Sequence, residues 1–328
     1  MYTPAHKVNR IGWPDLLKSS DVNEKKAHIL ANHCRYERKA AKQLFPNPKS
    51  LFITILRHPI KQFESLFIHY DFYKFMDHST QRKKVNMSKA IDKFRRLHID
   101  PVVLKKYAKK NNDFYLAQNP NAFDLGLNLD EQEISSNVDA LIDIVDGDFD
   151  IVMILEYFDE SLVLLMRRAC WNIDDIVYYK LNARLETDKI LPLDASTKAS
   201  ILRKNHVDYK IYQYFAKRLM RQIGEEGKDF FTDLDEFRDR LTFLRKSCIA
   251  GNTEEKVYGN KKKQSFTIKK SASKELKSLC TLMLRNELQY LDFFQDRQFN
   301  ENKEEDEDDG DQQVDVEEDE GDINQDEG

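Results

Sequence analysis

Arg57 and Ser65 are the pair whose types and spacing point most directly to chemistry. Arg57 stands immediately after the apolar run Ser50–Leu56 (SLFITIL), and Ser65 follows eight residues later. A guanidinium presents a planar fork of donors that matches phosphate oxygens, and a serine hydroxyl is a compact further donor. Lys61 lies four residues before Ser65 and shares its face on a helix, so an ammonium can join them. Three such groups could converge on one anion. The plainer reading is an arginine that forms a salt bridge at a strand end, with an incidental serine. On composition alone that reading is the commoner.

The elements that must position these residues are legible around them. Pro46-Asn47-Pro48 reads as a turn, and Ser50–Leu56 as a buried strand of a parallel sheet. Pro59 suits the first turn of a helix, and Phe63, Leu66, Phe67 and Tyr70 recur at helical spacing behind it. Phe149–Leu155 (FDIVMIL) repeats the pattern. Asp159-Glu160-Ser161 can open the helix that follows, with Leu162, Leu165, Met166 and Ala169 along one face. Val207, Ile211, Phe215 and Leu219 predict another amphipathic helix, and so do Leu276, Leu279, Leu282 and Met283. The short apolar stretch His28–His33 reads as a further strand. Strands alternating with helices predict an α/β fold with a mostly parallel central sheet flanked by helices. In such a sheet ligands bind at the carboxyl ends of the strands, where Arg57 stands.

Charge divides the chain. Residues 301–328 hold 16 acidic residues and one lysine, whereas the rest carries a net charge of +10. The organisation expected is one domain over residues 1–299 and an acidic, disordered tail over 300–328, which cannot bury a core. A basic globular part suits an anionic ligand, though surplus surface lysine is the blander explanation. Nucleic acid is the weakest partner reading: it rests on Lys261-Lys262-Lys263 alone, and no DNA- or RNA-binding motif is present. Cys34, Cys170, Cys248 and Cys280 have no metal-ligand spacing, so no metal is expected. Disulfides are possible, with no pairing readable. No run of about 18 apolar residues predicts a membrane span, and Met1–Trp13 lacks the apolar centre of a signal peptide. The sequon Asn86-Met87-Ser88 has meaning only in a secretory compartment.

With these residues in view, ITILRHPIKQFESLFIHY resembles the 3′-phosphate-binding element of sulfotransferases that use PAPS (3′-phosphoadenosine-5′-phosphosulfate). It is most similar to the version in the galactose-3-O-sulfotransferase family. Three other stretches carry the same resemblance: Ala31–Tyr36 (ANHCRY), Asn119–Leu127 (NPNAFDLGL) and Phe149–Arg184, which contains Glu-Tyr-Phe-Asp-Glu-Ser-Leu and ends Lys-Leu-Asn-Ala-Arg. The family usually has an acidic residue where this chain has His58.

The resemblance implies a sulfotransferase fold like that of P-loop NTPases and transfer of sulfate from PAPS to the 3-hydroxyl of a terminal galactose. The acceptor would be a galactosylceramide-like glycolipid or a glycoprotein glycan. It implies that Arg57 and Ser65 hold the 3′-phosphate, with Lys61 and Arg184 as further cofactor-binding cations and Lys180 beside them. Asp124 is the candidate for acceptor binding; its alternative is a turn-ordering role before Gly126. His33 is the candidate base, since its ordinary pKa suits proton transfer near neutrality, and other glycan sulfotransferases carry a catalytic histidine at a related position. A packing role is its alternative, and His28, His58 and His69 are weaker choices. A Golgi membrane location, lumenal side, is implied too, although the family's anchor is not in this sequence. Its Lys-Thr-Gly-like loop for the 5′-phosphosulfate, with the strand before it, is not present in Met1–Lys26 either. Weak or absent turnover is therefore expected of the chain as written, since such a loop would stabilise the transferring group. The alternative function is a remnant that binds nucleotide or glycan without catalysis.

Overall fold

In the computed structural model of the chain, residues 29–30, 34–69, 118–127, 134–181, 193–257, 261–286, 289–290 and 292–294 are described. The two apolar runs form strands, β1 (Ile53–Leu56) and β2 (Ile151–Ile154). They pair in parallel, from Ile53 opposite Ile151 to Leu56 opposite Ile154. Before β1 comes α1 (Arg38–Leu44), whose first N–H groups at Lys39 and Ala40 donate to the Glu37 carboxylate. After β1 comes α2 (Pro59–His69), with Pro59 at its first position and Phe63, Phe67 and Ile68 buried. Tyr70 lies outside the described residues. The short helix α3 (Pro120–Asp124) belongs to the Asn119–Leu127 stretch, and α4 (Ile134–Asp148) leads into β2.

Every residue of β2 is buried. The helix after it, α5 (Phe158–Ala169), packs back on the strand, and the buried Ser161 hydroxyl accepts the Ile154 N–H at 3.1 Å. Then follow α6 (Ala195–Lys204), α7 (His206–Glu225) and α8 (Asp229–Cys248). Val207, Ile211, Phe215 and Leu219 of α7 are wholly buried against β2 and its surroundings, as their helical spacing requires. Phe230 and Phe237 of α8 join the same core. Full burial of side chains this size stabilises by roughly 1.5–3 kcal/mol each.

Four features differ from the expectations above. Among the described residues the parallel sheet has two strands. The reading of Ser50–Leu56 as a buried strand holds for Leu56, while Ile53 and Ile55 are 43% and 44% exposed. A polar antiparallel hairpin, β3 (Ile249–Val257) with β4 (Lys261–Ile268), was not foreseen. It leads to α9 (Lys274–Leu284), and a disulfide joins Cys248 at the end of α8 to Cys280 on α9. Tyr179, Leu244 and Phe266 pack with that disulfide in a small second core. Of the strand read at His28–His33, Ile29 and Leu30 are described and lie in no strand. The described residues through Leu284 form one compact unit. Those from Arg285 to Phe294 belong to another, in which the Arg285 guanidinium lies over the Phe293 ring at 4.5 Å.

Candidate nucleotide-binding site

The parallel register sets the carboxyl ends of β1 and β2 side by side. Arg57-His58 leaves β1, and Leu155-Glu156-Tyr157 leaves β2 in a single 3₁₀ turn. The Glu156 carboxylate accepts the His58 backbone N–H with its two oxygens at 3.1 and 3.3 Å. The His58 ring turns back on its own helix, where Nδ1 accepts the Ile60 N–H at 3.3 Å and so satisfies one of the open donors of the first turn. Its edge meets Tyr212 at 5.0 Å and Tyr209 at 5.9 Å between ring centroids. Burial pushes the His58 pKa down and Lys61 adds to this, while Glu156 opposes them, with a net lowering. The ring is thus neutral near pH 7, in keeping with Nδ1 as an acceptor. Burial raises the Tyr212 hydroxyl pKa, and the hydrogen bond to Glu156 raises it further.

A second set of contacts fastens Asn119–Leu127 to this edge. Asn119 adopts the left-handed conformation (φ 47°) that asparagine tolerates. Its N–H donates to Asn205 Oδ1 at 2.7 Å, and its own Oδ1 accepts the Asp208 N–H at 3.2 Å. The wholly buried Asp208 carboxylate accepts the N–H groups of Asn121 (3.0 Å) and Ala122 (2.8 Å), the open donors at the start of α3. Burial pushes the Asp208 carboxyl up to about 7, against the lowering by these two N–H groups, and Asp124 adds to the rise. Finally, Asn121 Nδ2 donates to the Arg57 carbonyl at 3.2 Å.

The stretch before α1 closes the other side. Arg35 is buried, which an arginine tolerates only with its donors satisfied. Its Nε donates to the Phe123 carbonyl (2.9 Å) and its Nη2 to the Leu127 carbonyl (3.2 Å), with the guanidinium 3.8 Å above the Phe123 ring centre. The Tyr36 N–H donates to the Asp124 carbonyl at 2.8 Å. Gly126 takes φ 97° in the turn after α3, a conformation open to glycine. The Cys34 thiol pKa is raised by burial and by the Asp124 carboxylate. Tyr36 also donates to Asp148, the end of α4, which Arg38 and Lys42 contact at 2.9 and 2.7 Å. Thus the Asn119–Leu127 stretch contacts both the carboxyl-end junction, through Asn121, and the stretch before α1, through Phe123, Asp124 and Leu127, while Tyr36 reaches Asp148 ahead of β2.

The individual candidates fare unevenly. Arg57 is half-buried with its carbonyl pinned by Asn121, and Ser65 is half-buried two turns into α2. Lys61 is exposed and its Nζ lies 3.4 Å from Glu64 Oε2. Asp124 is exposed at the end of α3, with its carbonyl engaged. Lys180 and His69 are exposed. His28, His33 and Arg184 lie outside the described residues. Sequence reasoning missed Glu156, Asn121, Asp208, Tyr212 and Arg35. Glu156 had a signal: it stands two residues past β2, as His58 stands two residues past β1. The burial of Asp208 and Arg35 has none, because it depends on segments more than 80 residues away.

Comparison with known proteins adds a family. Residues 2–298 match the family model described as "Galactose-3-O-sulfotransferase". Galactose-3-O-sulfotransferase 3 of Homo sapiens is 35% identical over 207 residues, 61% of this chain and 44% of the relative. Galactosylceramide sulfotransferase of Homo sapiens is 31% identical over 280 residues, 80% of this chain and 63% of the relative. The corresponding mouse (Mus musculus) galactosylceramide sulfotransferase is 27% identical over 278 residues, with the same shares. The chain thus spans about half the length of the curated relatives it matches. No solved structure matches it. A match over nearly the whole sequence, joined to motif stretches that contact one another in the fold, leads to one assignment: this chain belongs to the galactose-3-O-sulfotransferase family.

Proposed function

We propose that this chain carries the donor-nucleotide end of a PAPS-dependent sulfotransferase that acts on the 3-hydroxyl of a terminal galactose, on a glycolipid or a glycoprotein glycan. The observation that carries the reading is the junction at the carboxyl ends of β1 and β2, where Asn121 and Glu156 fix the turn that bears Arg57. In this reading the Arg57 fork and the Ser65 hydroxyl hold the 3′-phosphate of the donor. Lys61 is the further cation on this helix, with its exposed ammonium 3.4 Å from Glu64 Oε2. Arg184 supplies a further cation, and Asp124 accepts a hydroxyl proton of the sugar in a hydrogen bond.

The reaction is an in-line displacement. The galactose 3-oxygen forms a bond to sulfur as the bond between sulfur and the 5′-phosphate oxygen breaks. The hydroxyl proton goes to His33, and the departing adenosine 3′,5′-bisphosphate takes the electron pair of the broken bond. The site's part is to hold the donor by its far phosphate and to fix its distance from the acceptor.

A Golgi location, lumenal side, is part of the same proposal. The Cys248–Cys280 disulfide supports an oxidising compartment. Among the described residues no helix is long and apolar enough to cross a membrane.

Calorimetry with adenosine 3′,5′-bisphosphate tests the reading. Binding by the unaltered chain, weakened by at least about tenfold in Arg57→Ala and less in Ser65→Ala, is expected from the loss of charge-assisted bonds. Equal binding by the unaltered chain and Arg57→Ala, or no binding by either, refutes the nucleotide assignment.

A further inference from the structure

His58 links the end of β2 to the start of α2, and its ring makes one of the links. Its N–H donates to the Glu156 carboxylate, and its carbonyl accepts the Gln62 N–H at 2.9 Å, the bond that opens α2. Pro59, at the first helical position, has no N–H, so Ile60 and Lys61 bring the open donors of the first turn. The His58 Nδ1 accepts the Ile60 N–H at 3.3 Å. An asparagine or aspartate side chain makes the same kind of bond when it caps a helix. An imidazole can make it in one protonation state alone. Nδ1 accepts while it is unprotonated and becomes a donor once a proton binds.

The surroundings hold the half-buried ring in the capping position. Tyr212 and Tyr209 of α7 meet it edge to face, at interplanar angles of 76° and 67°. They are the titratable groups that α7 turns towards it. The charged groups around it are Glu156 beyond β2 and Lys61 on α2, with Arg57 the residue before it in the chain. Burial and Lys61 oppose a charge on the ring and outweigh Glu156, so protonation waits until the pH is below the ordinary 6.5.

What the cap holds is the helix that bears two of the candidate residues. Lys61 lies in its first turn, and Ser65 one turn further on. Opening the bond at Ile60 frees that first turn from the junction, and the spacing between the Arg57 guanidinium and the Ser65 hydroxyl is then no longer fixed. We propose that His58 is a positioning residue for the donor: its unprotonated ring caps α2 and keeps Arg57 and Ser65 at the separation the 3′-phosphate needs. This rests on the assignment of the nucleotide to Arg57 and Ser65. A proton on the ring has two opposed effects. It removes the cap, which weakens binding, and it adds a positive charge, which attracts phosphate. The ring is turned onto its own helix and packed against two tyrosines, so loss of the cap prevails.

The test is calorimetry with adenosine 3′,5′-bisphosphate on the full chain, His58→Leu and His58→Asn, at pH 7.5 and pH 5. Leucine keeps apolar bulk against the tyrosines but accepts no hydrogen bond, whereas the asparagine Oδ1 can cap at either pH. At pH 7.5 His58→Leu should bind about fivefold more weakly than the parent, and His58→Asn should recover affinity to within about twofold. At pH 5 the parent should bind about three- to fivefold more weakly than His58→Asn. Both proteins meet the same ligand at that pH, so titration of its phosphates near about pH 6 cancels. The proposal is overturned if His58→Leu binds like the parent at pH 7.5, if His58→Asn is no better than His58→Leu, or if the parent equals or exceeds His58→Asn at pH 5. An excess would make the ring a cation for the phosphate. Arg57→Ala separates this inference from the one beneath it. Weakened Arg57→Ala beside unweakened His58→Leu overturns the His58 role alone; Arg57→Ala that binds like the parent, or a parent that does not bind, overturns both. Thermal melts confirm that each variant is folded, and if His58→Leu is not, the comparison of parent and His58→Asn at pH 5 decides.

Discussion

The side-chain amide of Asn121 donates to the backbone carbonyl of Arg57 at 3.2 Å, across 64 residues of sequence. This bond joins α3 to the turn that bears the proposed phosphate-binding guanidinium. In Asn121→Ala the Arg57 carbonyl loses its donor and the turn loosens. A net hydrogen bond contributes about 1 kcal/mol, so affinity for adenosine 3′,5′-bisphosphate should fall about fivefold with a small change in melting temperature. Unchanged affinity by calorimetry would show that other contacts hold the turn.

Asp208 gives a pH signature. Its carboxyl titrates at about 7 in the folded chain, raised by burial from the ordinary 3.8. The folded state holds the proton more tightly. Its contribution to stability is therefore complete below about pH 4 and is lost as pH rises towards 7. Urea unfolding between about pH 5 and pH 8 should show stability falling with pH, and Asp208→Asn should lack that part of the slope. At pH 5 the variant should be less stable by about 1–3 kcal/mol, because its amide turns a donor towards one of the two α3 N–H groups, and the deficit should shrink towards pH 8 as the parent loses its Asp208 contribution.

The disulfide predicts a separable loss. Cys248 and Cys280 are 32 residues apart, and closing a loop of that length is worth about 3–4 kcal/mol on chain-entropy grounds. Replacing both by alanine should lower the melting temperature by several degrees. Nucleotide affinity should not change, because the junction of Arg57, Asn121 and Glu156 draws on none of these residues. A fall in affinity as large as that from Arg57→Ala would contradict the independence of the two cores.

For His33 the distinguishing measurement is the split between turnover and binding. In a chain extended to the length of its relatives, His33→Ala should lower kcat by about 10²–10⁴, the usual contribution of a positioned base. Affinity for adenosine 3′,5′-bisphosphate should stay within about twofold of the parent. Equal losses in both would assign the histidine to binding.

Legibility in the sequence followed the range of the forces involved. The strands β1 and β2, and the helices α2, α5 and α7, were readable because short-range periodicity decides them: Pro59 opens α2, and Val207, Ile211, Phe215 and Leu219 recur along one face of α7. The hairpin was not readable, because Ile249–Val257 carries charged residues and little apolar alternation. What makes it a strand is its ladder with β4 and the Phe266 contact beneath. The α8 stripe of Phe230, Leu234, Phe237 and Leu244 has ordinary helical spacing and was legible in principle. In the candidate site, Arg57 and Ser65 stood out by type and place. Asp208 did not: within Asn205-His206-Val207-Asp208 it resembles any solvent-facing helix start. Only the arrival of α3 from elsewhere in the chain buries it.

The disulfide also alters how the molecule responds to cutting. Both strands of the β3–β4 hairpin lie wholly within the covalent ring that Cys248 and Cys280 close. A single proteolytic nick anywhere between those cysteines leaves two fragments that travel as one molecule on a non-reducing gel and separate only after a reductant is added. Within that ring, backbone continuity is no longer what holds the two ends of the segment together.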